Sequence, residues 1–384
     1  MKVTISVGGR FHAFYLAQQL LKKGYLHQLI TSYPKFEVAK YGIPKEKVSS
    51  VIIKEVMGRA WERMPFYLKN FYNPQYLIHE IYDKWASHLY KKSDICVGFS
   101  SFALHTIRKA KQMGVITILE RASPHILYQM EVLKEEYRKF GIKPKLAHPK
   151  IIAKELIEYN EADYISIPSL FVKQTFLERG FPERKLIHVP YGVDIESFRK
   201  IPKEDKIFRI IHCGGVSFYK GVQYLLQAFY ELNLANAELW LIGSVEEELK
   251  PLLKRYDNGK VFCKGIFSQK QLYKYYSMGS VFVLASIQEG LAMVIPQAMS
   301  CGLPVIITTN TGGDDLVGNG KEGFIIPIRN VQALKEKILF LYDNPEKLHE
   351  MGEAALIKIR SSFTWDNYGD KLIYHYERIL TGKQ

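Results

Sequence analysis

One acidic residue stands where a predicted strand ends and a predicted helix begins. The apolar run Val281–Ala285 predicts the strand, and Glu289 follows it with Gly290 directly after. The helix ends at Gly302, and Leu303–Ile307 predicts the next strand. Backbone N–H groups at a helix N-terminus bind anions, and a carboxylate accepts hydrogen bonds from hydroxyls. The segment therefore predicts a site for phosphates and sugars at the carboxyl end of a parallel strand.

A glycine-rich loop with one lysine is the second candidate for phosphate chemistry. Gly214-Gly215 and Lys220-Gly221 lie between the predicted strand Phe208–Cys213 and the predicted helix Val222–Leu232. Such glycines are equally typical of an ordinary strand–helix loop, and a lysine beside a glycine turn is often only a surface residue. Gly8-Gly9 forms the corresponding loop of the first half. No G-x-G-x-x-G pattern occurs there, which argues against a nicotinamide cofactor.

Strand and helix patterns alternate along the chain on both sides of a polar, turn-rich stretch, residues 190–206, which we interpret as a linker. Such alternation predicts an α/β protein with two doubly wound parallel sheets. We predict an N-terminal domain over residues 1–195, a C-terminal domain over 205–363 and a last amphipathic segment over about 364–384.

The individual elements follow from apolar periodicity and from glycine end signals. Predicted strands are Val3–Val7, His27–Thr31, Asp94–Phe99, Val115–Glu120, Tyr164–Ile167, Leu186–Val189, Phe208–Cys213, Glu238–Ile242, Val261–Phe262, Val281–Ala285, Leu303–Ile307 and Gly323–Pro327. Predicted helices are Arg10–Lys23, Phe102–Gly114, Lys150–Asn160, Leu170–Arg179, Val222–Leu232, Val245–Tyr256, Gln269–Met278 and Val331–Tyr342. Residues 33–92 show no regular pattern.

Composition and charge narrow the class of protein. An apolar fraction of 47% is ordinary for a soluble globular chain, and no apolar run is long enough to predict a transmembrane helix. The four cysteines are far apart, which favours reduced thiols in a cytoplasmic protein. Residues 1–150 hold 25 Lys and Arg against 11 Asp and Glu, a balance of +14 that equals the formal charge of the whole chain. This asymmetry favours an anionic partner of the first half, although a generally basic surface explains it as well.

Aromatic and basic residues alternate between residues 59 and 92. Such a stretch suits the interface of an anionic membrane, and equally a buried aromatic core beneath a solvated basic face. Stacking on nucleic acid is disfavoured because no nucleic-acid motif accompanies it. The residues concerned are Trp61, Phe66, Tyr67, Phe71, Tyr72, Tyr76, Tyr82, Trp85 and Tyr90, with Arg63, Lys69, Lys84, Lys91 and Lys92.

Four segments of the second half together resemble the retaining GT-B glycosyltransferases of glycosyltransferase family 4, the glycosyl transferases group 1. Pro190–Asp194 resembles the family's P-N-G-V-D, and Gly214–Gly221 its G-R-x-x-x-x-K-G loop. Glu289–Val305 resembles its E-G-x-x-x-x-x-x-E-A-x-A-x-G-x-P-V block, and Gly320–Pro327 its D-G-x-x-G-x-x-x-P segment. The resemblance implies a GT-B fold, with two Rossmann-like domains facing a cleft. The family's last helix crosses back onto the first domain.

The resemblance also implies a set of site residues. Residues with expected catalytic roles are Glu289, Lys220, His125 and Arg121, of which His125 is equally well explained as a loop cap. Residues expected to bind the nucleotide-sugar donor are Gly8, Gly9, Gly214, Gly215, Lys220, Gly243, Ile266, Glu289, Gly290, Leu291, Ala292 and Gln297. No D-x-D triplet occurs, so we expect no metal and no cofactor beyond the nucleotide-diphosphate sugar, which is a co-substrate.

Two positions depart from the family pattern. Gly215 replaces an arginine that meets the nucleotide diphosphate in the family, and Gln297 replaces a glutamate that holds the ribose hydroxyls. Losing the arginine removes a bidentate phosphate donor, whereas glutamine still hydrogen-bonds a hydroxyl pair without charge. Arg121 is a hypothetical substitute for the missing guanidinium.

The resemblance implies a retaining glycosyltransferase that moves a sugar from a nucleotide-sugar donor to an acceptor hydroxyl, in polysaccharide or glycolipid biosynthesis. The acceptor would be a glycan, a lipid-linked molecule or a small molecule, with an anionic membrane surface as a further partner and no nucleic acid. The protein would be cytoplasmic or peripheral on the membrane's inner face. Alternatives are a catalytically weak sugar-nucleotide-binding subunit, a non-hydrolysing sugar-nucleotide epimerase and a scaffold that binds a glycan or a nucleic acid.

Overall fold

The computed structural model describes residues 1–64 and 73–382. Their strands are β1 (Val3–Val7), β2 (Leu26–Thr31), β3 (Val48–Ser50), β4 (Ile95–Phe99), β5 (Ile116–Glu120), β6 (Tyr164–Ile167), β7 (Leu186–His188), β8 (Phe208–Cys213), β9 (Ala237–Ile242), β10 (Val261–Gly265), β11 (Val281–Leu284), β12 (Val305–Thr308) and β13 (Gly323–Ile326).

Their helices are α1 (Ala13–Lys22), α2 (Lys35–Ala39), α3 (Ile53–Glu62), α4 (Gln75–Leu89), α5 (Leu104–Gln112), α6 (Ile126–Lys139), α7 (Pro149–Glu161), α8 (Leu170–Leu177), α9 (Val222–Leu232), α10 (Lys250–Arg255), α11 (Gln269–Ser277), α12 (Val294–Ser300), α13 (Val331–Asp343), α14 (Pro345–Ser362) and α15 (Trp365–Leu380).

The strands form two parallel sheets, which confirms the predicted α/β class. The first has the order β3-β2-β1-β4-β5-β6-β7, and the second has the order β10-β9-β8-β11-β12-β13. Every described strand pair is parallel. The strand order reverses between β1 and β4 and again between β8 and β11. Open parallel sheets bind ligands at such reversals, outside the carboxyl ends of the strands.

The central strands are buried along their whole length and mostly apolar, because helices cover both faces of each sheet. All residues of β1, β4, β8, β11 and β12 are buried. The predicted strands Tyr164–Ile167 and Phe208–Cys213 and the predicted helix Val222–Leu232 match the structure to the residue. Short, mostly apolar runs of this kind are therefore the part of the fold that the sequence predicts best.

Several elements differ from the predictions. The structure adds α6, which the sequence patterns do not predict, and it places α2, β3, α3 and α4 in the stretch without a regular pattern. The helix predicted over Val245–Tyr256 begins only at Lys250, since a 3-10 turn over Glu247–Leu249 precedes it and a proline occupies its first turn. Proline fits there because the first-turn N–H has no partner inside a helix.

The last helix lies against the first domain. Within α15, Asp366 accepts hydrogen bonds from Gln19 (3.0 Å) and Lys22 (2.5 Å), and Trp365 stacks on Tyr15 with ring centroids 4.2 Å apart. The start of α15 also touches Gly192, where an added Cβ would lie 2.4 Å from the backbone nitrogen of Trp365. The absence of a side chain at residue 192 thus allows the end of the chain to cross the linker.

The excess positive charge of the first 150 residues is partly neutralised in space. Six of its cations pair with acids from beyond residue 150, for example Lys23 with Asp370 at 2.8 Å and Arg108 with Glu161 at 2.6 Å. The other four pairs are Lys22–Asp366, Lys111–Asp163, Arg121–Glu155 and Lys145 with Glu246 and Glu248. In the opposite sense, Lys154, Arg179 and Arg329 pair with acids of the first 150 residues, so these ion pairs offset the charge asymmetry of the sequence only in part.

The basic and aromatic stretch is mixed in its burial. Tyr82 and Tyr90 belong to the core, whereas the Trp85 side chain is 59% exposed. Phe66, Tyr67, Lys69, Phe71 and Tyr72 lie outside the described residues. No helix within residues 1–64 and 73–382 has both the length and the apolar character needed to cross a membrane. Binding to a membrane surface stays a prediction.

We predict that Gly192→Ala destabilises the protein by about 1–3 kcal/mol, because the new methyl group meets backbone atoms that no side-chain rotation can move away. Urea denaturation measures the loss, and hydrogen exchange of α15 should accelerate. Gly58→Ala is the matched control, because Gly58 lies within α3 with no atom near the added Cβ. It should be neutral or stabilising by up to about 1 kcal/mol. Equal behaviour of the two variants would contradict the prediction.

Candidate functional site

The two sequence segments that suggested chemistry lie side by side in the second sheet. The loop 214–221 follows β8 and the loop 285–293 follows β11, and these strands are neighbours that pair Ile210 with Val281 and Ile211 with Phe282. Both loops therefore emerge at the reversal of strand order. The parallel crossover places them together although about 70 residues separate them in sequence.

Close backbone contacts fix these loops. Gly221 adopts φ 67°, and a Cβ there would lie 1.8 Å from the carbonyl oxygen of Ala285. A Cβ at Gly243, which follows β9, would lie 1.8 Å from the carbonyl oxygen of Gly214. Only glycine permits such approaches, so these two residues hold the loops after β8, β9 and β11 together.

Lys220 and Glu289 form an ion pair at the centre of this edge. The Lys220 ammonium contacts Oε1 of Glu289, and the two side chains are 19% and 12% exposed. Ser286 donates a hydrogen bond to the same carboxylate at 3.0 Å, and the Tyr219 hydroxyl donates a longer one at 3.4 Å. Burial and then the Glu289 charge raise the pKa of Tyr219 well above its usual value, so this hydroxyl stays protonated.

Unpaired backbone amides follow Glu289. The amides of Glu289 and Ala292 donate to the carbonyl oxygens of Asn310 and Thr311, at 2.7 and 3.1 Å. Those of Gly290 and Leu291 have no acceptor among the described residues. We expected these amides at a helix N-terminus, but α12 begins only at Val294, so that the amides of residues 290–292 belong to the preceding loop. The two unpaired N–H groups remain available to a ligand, although without a helical first turn.

Buried polar atoms without partners surround the ion pair. Both amide atoms of Gln288 and Nε2 of His212 are buried, and they make no hydrogen bond to a described residue. Burial and then the Lys220 charge lower the pKa of His212 to about 4, so its ring is neutral at pH 7. Unsatisfied buried polar atoms are uncommon and costly, and those at this edge are suited to water or to a polar ligand.

The remaining expected donor residues differ in their surroundings. Gln297 is buried on α12 and accepts a hydrogen bond of 3.4 Å from Tyr276. Ile266, in the loop after β10, is 77% exposed. Gly215 has open space where a Cβ would stand, with only the Ser217 hydroxyl within 4 Å. The position that carries arginine in the family could therefore hold a side chain here.

The glycines after β1 contact side chains of their own domain. An added Cβ at Gly8 would lie 2.2 Å from the Phe102 ring, and one at Gly9 would lie 2.8 Å from the Phe11 ring. Their donor-binding role stays a prediction. In this structure they make room for those two aromatic rings.

Arg121 has internal partners. Its guanidinium is buried and pairs with Glu155 at 2.7 Å, and it donates to the Pro124 carbonyl oxygen at 2.8 Å and to Gln129 at 3.1 Å. Glu155 also raises the pKa of Arg121, although burial opposes this. The structure thus engages Arg121 within the first domain, so replacing the family's phosphate-binding arginine would require it to exchange these partners.

His125 caps α6. Its Nδ1 accepts a hydrogen bond from the Leu127 amide at 3.3 Å, and its ring packs among Tyr159, Phe176 and Phe181. Burial and the charges of nearby arginines lower the pKa of His125 to about 3. The geometry matches the capping interpretation, while the catalytic role stays a prediction.

Two adjoining cavities occupy the cleft between the domains. The larger one, of about 530 Å³, has aromatic and basic walls, and the smaller one, of about 120 Å³, includes His12, Met293 and Gln297. Neither is lined by Lys220 or Glu289, whose side chains close on each other. Both cavities are lined by Arg10, Tyr15, Asp194, Phe198 and Gln269.

The loop after β11 touches the first domain directly. A Cβ at Gly290 would lie 1.7 Å from the Ala122 carbonyl oxygen, and the Ser169 hydroxyl donates to the Gly290 carbonyl oxygen at 2.6 Å. Sequence reasoning missed Ser169, and also Ser286 and Tyr219 beside the ion pair. Tyr219 could have been predicted from the sequence, because it directly precedes Lys220 in the glycine-rich loop.

Among residues 1–64 and 73–382, one group of acids and histidine has a spacing that could hold a metal: Glu80, Asp83 and His105. The Lys154 ammonium lies 2.6 Å from Glu80 and 2.8 Å from Asp83. A buried ammonium already balances these carboxylates, so the cluster serves as an internal ion network.

The family model for "Glycosyl transferases group 1" matches residues 193–357. Over these residues the chain is similar to this family. The match includes both loops of the second sheet and leaves the first sheet outside it. Among curated proteins, an uncharacterized glycosyltransferase of Methanocaldococcus jannaschii is 24% identical over 58% of this chain and 59% of its own length. A probable sucrose-phosphate synthase of Thermosipho melanesiensis is 24% identical over 80% of this chain and 73% of its own length.

Among solved structures, Anabaena HepE in complex with UDP superposes with a TM-score of 0.72 at 14% identity, covering 98% of this chain and 100% of that one. HepE has also been solved with UDP-glucose. At this identity the similarity shows the fold alone, and it confirms the predicted GT-B architecture.

We predict that His125 makes stability depend on pH. The unfolded chain binds a proton near the ordinary pKa of 6.5, whereas the folded ring does so only near pH 3. The free energy of unfolding should therefore fall between pH 7 and pH 5 by about 2 kcal/mol more than in His125→Asn, which retains a capping oxygen. Denaturant titrations at the two pH values measure this difference.

The exposed His88, changed to Asn, is the control and should leave the pH dependence as it is. The catalytic prediction for His125 requires something different, namely a loss of turnover in His125→Asn that exceeds any loss of folded protein.

Proposed function

We propose that this protein transfers a sugar from a nucleotide-diphosphate sugar to an acceptor hydroxyl, with retention of the anomeric configuration, in the synthesis of a glycan or glycolipid. The observation that carries the proposal is the Lys220–Glu289 pair at the strand reversal of the second sheet, beside two unpaired amides. A cation with amides suits a diphosphate, and a fixed carboxylate suits sugar hydroxyls. The UDP and UDP-glucose held by HepE support this class of donor.

When the donor binds, Lys220 and Glu289 would separate and contact two different parts of it. The diphosphate would take the Lys220 ammonium and the amides of Gly290 and Leu291. The Glu289 carboxylate, still held by Ser286, would then accept hydrogen bonds from hydroxyls of the transferred sugar. In the unliganded chain the ion pair neutralises both groups, so the buried charges are compensated before the donor arrives.

The reaction needs positioning and stabilisation of the leaving group. Retention means that the acceptor oxygen bonds to the anomeric carbon on the face from which the diphosphate departs. Fixed donors beside the diphosphate stabilise the charge that develops as the carbon–oxygen bond breaks. Contact between the domains at Gly290 excludes water from the back of the loop and so disfavours hydrolysis of the donor.

The acceptor would bind in the cleft between the domains. Its larger cavity combines tyrosines with Arg10, Lys40 and Lys270, which suits a glycan, lipid-linked or small-molecule acceptor. We propose no metal for the reaction, since Lys220 and the loop amides supply the positive groups that the diphosphate needs.

We predict that a nucleoside diphosphate of one base type stabilises the protein against heat in a screen of UDP, GDP, ADP and CMP with their common sugar conjugates. Binding at a hundred times Kd adds about 2.7 kcal/mol of stability. Lys220→Met should lose the shift with the free nucleotide. Glu289→Gln should retain that shift and lose the additional shift that the attached sugar gives to the wild type.

Lys335→Met is the matched control, because Lys335 pairs with Glu231 on the outer surface of α9. It should respond to ligands as the wild type does. Stabilisation without turnover towards any acceptor or water would favour the sugar-nucleotide-binding subunit. Conversion of the donor sugar into its epimer without a second substrate would identify the epimerase. No stabilisation by any nucleotide would contradict the proposal.

We predict that Gly215→Arg tightens binding of the nucleoside diphosphate. The backbone at Gly215 has no positive φ, and the space for a side chain is open, so the guanidinium can extend without strain. A charge-assisted hydrogen bond to phosphate contributes about 1.5–3 kcal/mol, so Kd should fall roughly ten- to hundredfold. Calorimetric titration measures Kd, with Gly215→Gln as the uncharged control. Equal Kd values for both variants would contradict the prediction.

A further inference from the structure

His12 and Glu120 form a buried pair at the cleft, where the expected site included neither residue. Nε2 of His12 lies 3.1 Å from Oε2 of Glu120, and the two residues are 8% and 2% exposed. His12 follows the loop after β1, and Glu120 is the last residue of β5. Both therefore stand at the carboxyl edge of the first sheet, next to its reversal of strand order.

The two ring nitrogens of His12 have different surroundings. Nε2 faces the carboxylate, which fixes the proton on this nitrogen, while Nδ1 makes no hydrogen bond to any described residue. His12 lines the smaller cavity together with Met293 and Gln297 of the second domain. The ring thus has one nitrogen paired and one with its lone pair free, and it borders the space between the domains.

The backbone and the neighbouring rings hold this imidazole in place. Phe11, directly before it, has φ 40°, a conformation that costs a bulky residue free energy and that clusters at functional sites. The His12 ring packs in a tilted arrangement against Tyr191, with centroids 4.2 Å apart, and against Phe99, with centroids 5.0 Å apart. A strained turn and two aromatic contacts therefore fix the direction of the ring.

Glu120 has no other described partner. Its second oxygen, Oε1, is buried without a hydrogen bond, so the carboxylate is committed to His12. Burial holds the pKa of each nearby phenol well above the usual value, so these groups stay neutral. The titratable and charged groups that face the pair are Tyr191 of the linker, Tyr368 and Tyr376 of α15, and Arg10 and Asp194 at the cavity.

A buried carboxylate with one partner and neutral neighbours costs stability, and neutral groups of similar volume would pack here at a lower cost. A histidine held in one tautomer by a carboxylate, with its other nitrogen towards a cleft, is instead the arrangement of a general base. We infer that His12 accepts the proton of the acceptor hydroxyl, and that Glu120 is a positioning residue that fixes its tautomer.

This proton transfer accompanies the sugar transfer and rests on the proposed function. The O–H bond of the acceptor breaks and its proton passes to Nδ1 of His12, while the oxygen forms a bond to the anomeric carbon. The bond from this carbon to the diphosphate oxygen breaks, and its electron pair leaves on the diphosphate. The imidazolium, stabilised by Glu120, then returns its proton to water. A reaction in which the departing phosphate alone takes the proton needs no such histidine.

The test uses the nucleotide sugar that the thermal screen selects, with water in the place of the acceptor. His12→Gln should lower the rate of nucleoside diphosphate release by about 10²- to 10⁴-fold, because glutamine cannot take the proton. The nucleotide-induced thermal shift should be unchanged, which shows that the variant is folded and binds donor. His88→Gln, an exposed histidine on α4, is the control and should turn over like the wild type.

The pH profile separates a base from a merely structural histidine. The rate should fall below one limiting pH as His12 becomes protonated. Glu120→Gln should move this acid limb to lower pH and reduce the plateau, because removing the negative charge makes the imidazolium less favourable. An acid limb at the same pH in Glu120→Gln as in the wild type would overturn the inference and leave the proposed function intact. Full turnover in His12→Gln would do the same.

A second measurement needs no substrate. Long-range ¹H–¹⁵N correlation spectra of the wild type and of His12→Gln identify the His12 ring signals by difference. The inference requires a proton on Nε2 and none on Nδ1 in the neutral form, and the opposite tautomer would overturn it. Failure of every nucleotide to bind would instead count against the proposed function, since the tautomer does not depend on a ligand.

Discussion

The backbone contact at Gly290 is the constraint on which the site depends. The Ala122 carbonyl oxygen lies where a side chain at residue 290 would begin, and Ser169 holds the Gly290 carbonyl oxygen from the same domain. On the other side, a Cβ at Gly312 would lie 1.8 Å from this carbonyl oxygen. A segment held by backbone on two sides has little freedom, so Glu289 before it and the Leu291 amide after it keep fixed directions. The fixed geometry of the ion pair between Lys220 and Glu289 therefore depends on this backbone contact more than on the attraction between the two side chains.

Much of the fold could be predicted from the sequence, and the reason is physical. In parallel sheets the strands are buried on both faces, so Phe208–Cys213 and Tyr164–Ile167 are mostly apolar segments with clear ends. α6 was missed because its apolar side is narrow and its cap is a histidine, which is not one of the usual capping residues. The early start predicted for the helix after Glu289 has a different cause, since the apolar residues 291–293 continue the pattern of α12 but belong to the loop before it.

The donor loops could be predicted in part, whereas the pairing of His12 with Glu120 could not. Lys220 and Glu289 lie in motifs, and the crossover rule places their strands together. His12 and Glu120 lie 108 residues apart with no motif around either, and only the folded sheet shows that they meet. Sequence favoured His125 at the same edge, but the structure directs that ring into the apolar cluster beside Phe176. Whether His12 or His125 faces the cleft depends on the direction of each side chain. The spacing of residues in the sequence carries no information about this direction.

The chain passes between its domains twice, and the two passages lie side by side. The Val193 amide donates to the Phe363 carbonyl oxygen at 2.9 Å, and Val193 forms a parallel bridge with Thr364. Two adjacent backbone segments that are joined in this way define an axis about which one domain can rotate against the other. Sliding of one domain past the other would break these bonds, whereas rotation about the axis preserves them. Among relative motions of the two domains, these linker bonds therefore permit rotation about one axis, which would change the width of the cleft.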